Sequence, residues 1–382
     1  MLIIETTTGF GRGIFRGITS YVRERKHWQI NIENRGFFDP LPTWLKDWKG
    51  HGIISRSGNA SMIRFLQRFD VPVVELFGNN SNIPSEVYCD RMKTAELALS
   101  HFQNCGLRHI AFYTHSNSWW IRLRQESFVQ CCQNAGINVH LLPPLETEKF
   151  IDNAPEWDSN DERRLLRWLK TLPKPIGILA GFDAAAIRVI NACQKLGIVV
   201  PEEVAVLGVG NDDCLCDAIT PSLSSININS YGIGYEAARL LDEKMDRRHH
   251  QPQAPIRVTP VGLVERGSTN IIHCSNPDIA QAIRFMRDNA TSGVRVADVL
   301  NAVNLSARTL QRAFLQLLNR TPEQELIRLK MEHACMLLRE TQLNLHEIAF
   351  ASGFASLKYF INSFRKVHGM TPSMYRRNTF HS

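Results

Sequence analysis

Residues 303–322 and 353–372 carry one pattern twice, offset by fifty positions. The first copy reads Val303-Asn304-Leu305-Ser306-Ala307-Arg308-Thr309-Leu310-Gln311-Arg312-Ala313-Phe314 and runs on to Asn319-Arg320-Thr321-Pro322. The second reads Gly353-Phe354-Ala355-Ser356-Leu357-Lys358-Tyr359-Phe360-Ile361-Asn362-Ser363-Phe364 and runs on to His368-Gly369-Met370-Thr371-Pro372. Under the shift, Ser306 meets Ser356, Leu310 meets Phe360, Phe314 meets Phe364 and Thr321-Pro322 meets Thr371-Pro372. A serine at each start caps a helix. The apolar residues four apart then fall on one helical face. A short apolar-periodic helix precedes each copy, at 296–303 and 345–351, and Gly353 marks the tight turn in the second. Helix, tight turn and capped helix make a helix-turn-helix, whose second helix enters the major groove of DNA. With Leu310 and Phe314 turned to the core, Arg308, Gln311 and Arg312 face outward in the first copy. Lys358 and Asn362 do so in the second, with Arg365 and Lys366 beyond them. Arginine pairs with guanine, glutamine or asparagine with adenine, and lysine with phosphate. An ordinary helical bundle needs the apolar periodicity but not this turn chemistry.

Charge is distributed to match. Residues 277–382 hold fourteen Lys and Arg against eight Asp and Glu, a net +6, while residues 1–276 hold 30 against 29. A cationic excess confined to the repeat is what phosphate contacts require.

The second copy carries a family resemblance. Ile348-Ala349-Phe350-Ala351-Ser352-Gly353-Phe354, Tyr359-Phe360, Phe364-Arg365-Lys366, Gly369, Thr371-Pro372 and Tyr375-Arg376 resemble the signature of AraC/XylS-type DNA-binding domains. The resemblance covers 277–382. It implies an all-α domain of two helix-turn-helix units bridged by one long helix, here about 323–339.

The first 270 residues alternate short apolar runs with amphipathic stretches. Strands are expected at 2–5, 28–32, 52–55, 71–75, 109–113, 177–179 and 204–209. Helices are expected at 14–25, 62–69, 94–104, 124–134, 161–172, 184–196 and 231–244. Such alternation predicts α/β architecture with parallel sheets covered by helices, and the length favours two lobes. Gly9-Phe10-Gly11-Arg12-Gly13 follows a strand and superficially suggests a dinucleotide-binding turn. The third glycine of that fingerprint would fall on Ile14, so the pattern fails.

The stretch 196–208 with Pro221-Ser222-Leu223-Ser224-Ser225-Ile226 is similar to the LacI/GalR effector domain, a two-lobed fold related to periplasmic sugar-binding proteins. Here the DNA reader follows the sensor. That order resembles XylR-type xylose-operon regulators. Further local matches are Gly11-Arg12-Gly13 with Arg16-Gly17-Ile18, Ile32-Glu33-Asn34-Arg35-Gly36, Pro42-x-Trp44-Leu45-x-Asp47-Trp48-x-Gly50, and Val264-Glu265-Arg266-Gly267-Ser268-Thr269. The implied organisation is a sensing domain at 1–266, a linker at 267–276 and a DNA-binding domain at 277–382.

The resemblance implies a transcription activator whose operator binding is controlled by a monosaccharide, D-xylose or a related pentose by family default. The implied cleft residues are Arg124, Asp90, Asp183 and Asn211, with Phe10, Trp119 and Trp120 as loop aromatics to stack on the sugar and Glu33 as a further cleft candidate. A forked arginine binds two oxygens at once, and aromatics cover the apolar sugar face with little entropy loss. Asp90 and Asp183 are also well placed to cap helices, Trp119-Trp120 to plug a core, and Glu33 to pair with Arg35. Two positions depart from the family pattern. Phe182 stands where an asparagine is usual, and Gly210 where an acid is usual, with Asp212 or Asp213 placed to replace that acid if the loop shifts.

Several classes find no support. There is no Gly-x-Ser-x-Gly, no P-loop, and His346-Glu347 lacks the second histidine of a zinc-protease helix. The nine cysteines and thirteen histidines show no metal-ligand spacing, and His249-His250 read as solvated. No cofactor or metal is expected. Residues 1–5 are too short for a secretory or membrane segment, so a reduced cytoplasmic protein is expected. The partners expected are operator DNA, the sugar, a second copy of the chain, paired through helices 62–69 and 94–104, and RNA polymerase. A sugar- or nucleotide-processing enzyme with an appended DNA-binding domain, or a regulator of a different ligand, stays open at this point.

Overall fold

The structure is a computed structural model that describes residues 1–25, 28–33, 43–56, 60–76, 85–115, 118–142, 159–246, 254–271, 276–318 and 320–380. Asn34, Arg35, Gly36, Pro42, the His249-His250 pair and Asn319 lie outside the described residues. The chain divides into two compact units, Met1–Phe102 with Arg108–Asn270, and Ile271–Ser382 with Gln103–Leu107.

The first unit has two lobes. In the first lobe, β1 (Leu2–Ile3), β2 (Ile32–Glu33), β3 (Ile53–Ser55) and β4 (Val73–Glu75) form a parallel sheet of order β2-β1-β3-β4. β5 (Val87–Cys89) and β11 (Ile256–Val258) pair in parallel, and a Glu75–Glu86 bridge joins them to β4. Helices α1 (Gly9–Arg25), α2 (Ala60–Leu66) and α8 (Ser230–Met245) belong to this lobe. Leu2 and Ile4 enter one core cluster, Met1 and Ile3 the other. Successive strand residues face opposite sides, so a continuous apolar run marks a sheet covered on both faces.

The second lobe is a six-stranded sheet of β6 (His109–Tyr113), β7 (Val139–Leu141), β8 (Ile176–Ala180), β9 (Val204–Val209), β10 (Ser224–Asn227) and β12 (Gly262–Val264), in the order β12-β10-β9-β8-β6-β7. Only β12 runs antiparallel to its neighbour. Its helices are α3 (Arg91–Asn104), α4 (Trp119–Asn134), α5 (Ser159–Thr171), α6 (Asp183–Leu196) and the single turn α7 (Asp213–Cys216). The chain crosses between the lobes after β5, after β10, and between β11 and β12. Hydrogen bonds tie these crossings together: Asp90 N donates to Val258 O (2.8 Å), Val261 N to Asn227 O (2.9 Å) and Asn229 Nδ2 to Thr259 O (3.2 Å).

Some expectations need correcting. The glycine run is not a loop: α1 starts at Gly9, and the run is its first turns. Two glycines outside the run serve helix packing. A Cβ on Gly17 would lie 2.0 Å from Tyr231 O, and one on Gly234 2.0 Å from Ile14 O, so α1 and α8 touch backbone to backbone. The strand expected at 28–32 is only Ile32–Glu33, and the helix expected at 62–69 is Ala60–Leu66. β7, β10, β11 and β12 were not anticipated. Each has three or four residues, and Ser224-Ser225-Ile226-Asn227 is polar yet buried at Ser224, Ser225 and Ile226 by its neighbours. The apolar faces expected to pair two copies are turned inward. Met62 and Leu66 pack with Leu45 and Ile53, while Ala95, Ala98, Leu99 and Phe102 of α3 are buried.

The second unit is all helix: α9 (Pro277–Asn289), α10 (Val296–Ala302), α11 (Ala307–Leu318), α12 (Pro322–Glu340), α13 (Leu345–Ala351), α14 (Leu357–His368) and α15 (Pro372–Phe380). The repeated Thr-Pro is a helix start in both copies. Thr321 Oγ1 accepts from Gln324 N and Thr371 Oγ1 from Met374 N, with proline at the first helical position, where no N–H is needed. α12 bridges two cores. Leu326 lies in the cluster with Leu310 and Phe314; Met331, Ala334, Cys335 and Leu338 lie in the cluster with Phe360 and Phe364.

At the start of α12, Glu325 is 2% exposed and receives Arg328 Nε at 2.9 Å and Nη2 at 2.8 Å, with Arg320 Nη1 at 3.2 Å. Burial alone would raise its carboxyl; the Arg328 and Arg320 guanidiniums outweigh it and hold the group below the usual carboxylate range. Glu325→Ala leaves two cations facing a void and is expected to lose about 3–5 kcal/mol of stability in this unit, read by thermal denaturation. The folded-state value is depressed, so the stabilisation is full above the unfolded value. It fades as pH falls through the folded one. Acid melting of the wild type should therefore be steeper than that of Glu325→Gln.

Candidate functional site

Two sites take shape, one in each unit. In the first unit the carboxyl ends of the parallel strands collect the polar groups, as expected for open α/β sheets. Glu5 follows β1 and is 3% exposed; it accepts from Thr8 Oγ1 and pairs with Arg56, which follows β3. The Arg56 guanidinium lies 4.6 Å from the centre of the Phe10 ring. From the second lobe, the loop after β9 reaches this cluster. Asp212 Oδ2 accepts from Gly9 N at 2.7 Å and lies 3.5 Å from Arg12 Nη2. A carboxylate at the exposed N–H groups of α1 is favoured by the helix dipole.

The loop turns at Gly210, with φ of +133°, and Asn211, with φ of +52°. The first of these suits a residue without Cβ, and a Cβ there would lie 2.9 Å from Asp183 Oδ2. Asp212 therefore lies at the lobe junction, while Asp213 pairs with Arg266.

Asp183 is 4% exposed. Its Oδ1 accepts from Ser225 Oγ at 2.5 Å and its Oδ2 from Asp212 N at 2.9 Å. Burial pushes its carboxyl up, and those two hydrogen bonds counter it. Asp183 thus braces the β9 loop and caps nothing; the α6 N-cap position is Phe182. Asn211 Oδ1 accepts from Arg266 Nη1 at 2.9 Å. Asp90 is a helix cap, accepting from Lys93 N at 3.0 Å. Glu33 is half-buried at the end of the edge strand β2.

Arg124 lies in the second turn of α4, partly buried, and donates to Gly181 O. Its guanidinium stands 5.6 Å from the Trp120 ring. Burial lowers it to about 10, so it stays cationic at neutral pH, in the field of Cys89, Arg91, Asp183 and Arg56. Phe10, Trp119 and Trp120 are not in loops; each stands in the first turn of its helix. Trp120 packs on Phe182, with ring centres 6.0 Å apart.

Sequence reasoning missed four groups here: Glu5, Arg56, Arg91 and His115. Each follows the carboxyl end of a strand within two residues, and that position was the available signal. It also missed the role of Arg266. From the exit segment, Arg266 bonds Asn211, Leu223 O, Asp213 and Asp217. The cleft loop and the start of the connection to the second unit are therefore one hydrogen-bonded assembly.

In the second unit both serines cap as expected: Ser306 Oγ accepts from Thr309 N (3.1 Å) and Ser356 Oγ from Tyr359 N (3.2 Å). Gly353, with φ of +76°, makes the turn before α14. Leu310, Phe314, Phe360 and Phe364 are fully buried, and this orients the opposite faces. Arg308, Gln311 and Arg312 are exposed on α11; Lys358, Asn362, Arg365 and Lys366 are exposed on α14. Tyr359, half exposed on α14, is an addition to that face. Among the described residues there is no metal-ligating cluster, and no helix is long and apolar enough to cross a membrane.

Known proteins agree with this arrangement. Residues 99–269 match the periplasmic binding protein-like domain and residues 299–378 a helix-turn-helix domain. The xylose operon regulatory protein of Escherichia coli (strain K12) is 31% identical over 98% of this chain and 96% of its own length. That of Haemophilus influenzae is 28% identical over 99% and 97%. A solved structure of the xylose-binding transcription activator xylR superposes with a TM-score of 0.61 at 29% identity, covering 99% of this chain and 97% of that one. With a two-lobed sensor, a double helix-turn-helix reader and this likeness along nearly the whole length, the chain belongs to the family of xylose operon regulatory proteins.

Proposed function

We propose that the effector of this regulator is D-xylose or a related pentose, held between the two lobes with Arg124 as its principal polar contact. The relatives are transcription regulators, and this chain is a sugar-responsive DNA-binding regulator rather than an enzyme. The observation that carries the effector reading is Arg124 itself. A guanidinium lying among strand ends, over the Trp120 ring, has Gly181 O as its one hydrogen-bond acceptor among the described residues. Its other N–H donors suit a polyol, and Trp120 suits the apolar face of a sugar ring.

Sugar bound there favours the closed lobes, in which Asp212 reaches the start of α1. Because Asn211 in the same loop is bonded to Arg266, closure acts on the segment leading to the reader. The ligand thus shifts the population between DNA-binding arrangements. Calorimetry tests the contact. Arg124→Met is expected to weaken pentose binding more than tenfold, about 1.4 kcal/mol or more. Unchanged affinity would place the sugar elsewhere. Asp183→Ala is expected to act indirectly, by releasing the loop it braces.

The working unit is a homodimer in the cytoplasm, paired through the sensing unit and meeting RNA polymerase at its promoters. One copy has no second reader to reposition, and a two-fold pair is the common solution. Sedimentation of the full chain should give about twice the 43.5 kDa of one copy at micromolar concentration, with sugar present. A monomer under those conditions would restrict pairing to DNA or exclude it.

A further inference from the structure

Phe182 offers no polar group at the end of β8, and the structure puts another group beside it. His115 lies two residues past the end of β6. Its ring centre is 5.1 Å from that of Phe182 and 6.5 Å from that of Tyr113. Trp120 packs on the same Phe182, and Arg124 stands over Trp120. The Nδ1 atom of His115 is shut off from solvent and has no hydrogen-bond partner among the described residues. A buried polar atom left unpaired destabilises the fold, so such an atom two residues beyond the carboxyl end of a central strand needs an account.

We infer that His115 is a specificity-determining contact of the effector site, its Nδ1 accepting a hydrogen bond from a ligand hydroxyl where position 182 offers no polar group. The inference rests on the reading of the cleft as a monosaccharide site. Imidazole is suited to the task. Burial, and then the nearby Arg188 guanidinium, lower His115 to about 3, so the ring is neutral through the working pH range. With the ring proton on Nε2, the Nδ1 lone pair is free to accept. With a ring at position 182, the imidazole at 115 reads a hydroxyl from the β6 end. A site built around a paired hydroxyl discriminates strongly against the sugar lacking it.

Calorimetry on the full chain decides this, with D-xylose, L-arabinose and D-ribose and the monodeoxy forms of whichever sugar binds. His115→Phe keeps the ring and removes the nitrogen. It is expected to weaken the preferred sugar about tenfold or more, without lowering the melting temperature of the sugar-free chain. One deoxy sugar should bind wild type and variant equally well, which identifies the hydroxyl. Adding Phe182→Asn to His115→Phe should restore part of the lost affinity. Equal affinity of His115→Phe and wild type for every sugar overturns the inference while leaving the effector reading intact. A wild type that binds none of these sugars removes the effector reading itself, and the inference with it. Should the variants not fold, wild-type protein labelled with 15N-histidine gives the answer. One lone-pair nitrogen signal of a neutral ring should move on saturation with the preferred sugar, and a histidine spectrum unchanged by that sugar overturns the inference.

Discussion

Gly234→Val is expected to disrupt the first lobe, with a loss of about 4 kcal/mol or more, the size seen when backbone or core packing must be rebuilt. Gly234 lies where α8 crosses α1, and a Cβ would sit 2.0 Å from Ile14 O, a backbone atom that no side-chain rotation moves aside. The two helices would have to separate. With them would go the contacts of Ile14, Ile18 and Tyr21 with Ile233, Ala237 and Leu241, which form one apolar cluster. Tyr21 also donates to the buried Asp242 at 2.9 Å, a bond that depends on the same approach. Gly197→Ala provides the contrast. Gly197 has φ of +69° but open space around it, so its replacement is expected to destabilise by only about 1 kcal/mol of backbone strain. Denaturant titrations of both variants, followed by circular dichroism, check the pair. Equal midpoints would mean that the helices do not meet at this glycine.

The second large effect is expected at the DNA interface. Arg308→Ala and Arg312→Ala on α11, combined with Lys358→Ala and Asn362→Ala on α14, should together remove specific binding. Each base-edge contact is worth about 1–3 kcal/mol, so losing contacts on both helices lowers affinity by at least about a hundredfold. The combination should leave the fold intact, since all four side chains are exposed and the buried faces are untouched. Anisotropy measured against a duplex selected from a random pool by the wild-type chain gives the number. Substituting one helix alone should relax one half of the footprint. Arg365→Ala and Lys366→Ala should instead weaken all sequences alike and flatten the salt dependence. A footprint that survives changes in both helices would assign DNA contact to another face.

The reader was legible because its determinants are local. A serine cap, apolar residues four apart, a turn glycine and a Thr-Pro start all act within a few residues, and repetition at a fifty-residue shift made them visible twice. The charge excess lies in the same segment, so the sequence pointed to the same segment for DNA contact as for the helix-turn-helix fold. The alternating α/β pattern of the sensor was legible for the same reason in its long central strands, such as Val204–Val209, whose six residues are all buried. β7, β10, β11 and β12 were not, because pairing with neighbours holds them, not their own composition.

The cleft was another matter. Gly9 and Asp212 are 203 positions apart, and nothing in either segment announces their hydrogen bond. Asn211, Asp183 and Asp90 are ligand candidates by residue type and strand-end position, but their internal partners could not be read from the sequence. Tertiary packing gave their polar atoms to Arg266, to Ser225 with Asp212 N, and to Lys93 N. Gly17 and Gly234 carry no local signal of their role, which exists only where two helices meet. The sequence by itself therefore determined that this is a two-lobed sensor joined to a paired helix-turn-helix reader, since periodicity and capping act along the chain. The tertiary structure alone decided which carboxylates brace loops, which arginine lies over Trp120 at the strand ends and, among the described residues, that His115 keeps an unpaired nitrogen, since those depend on groups that meet only when strands distant in the chain lie side by side.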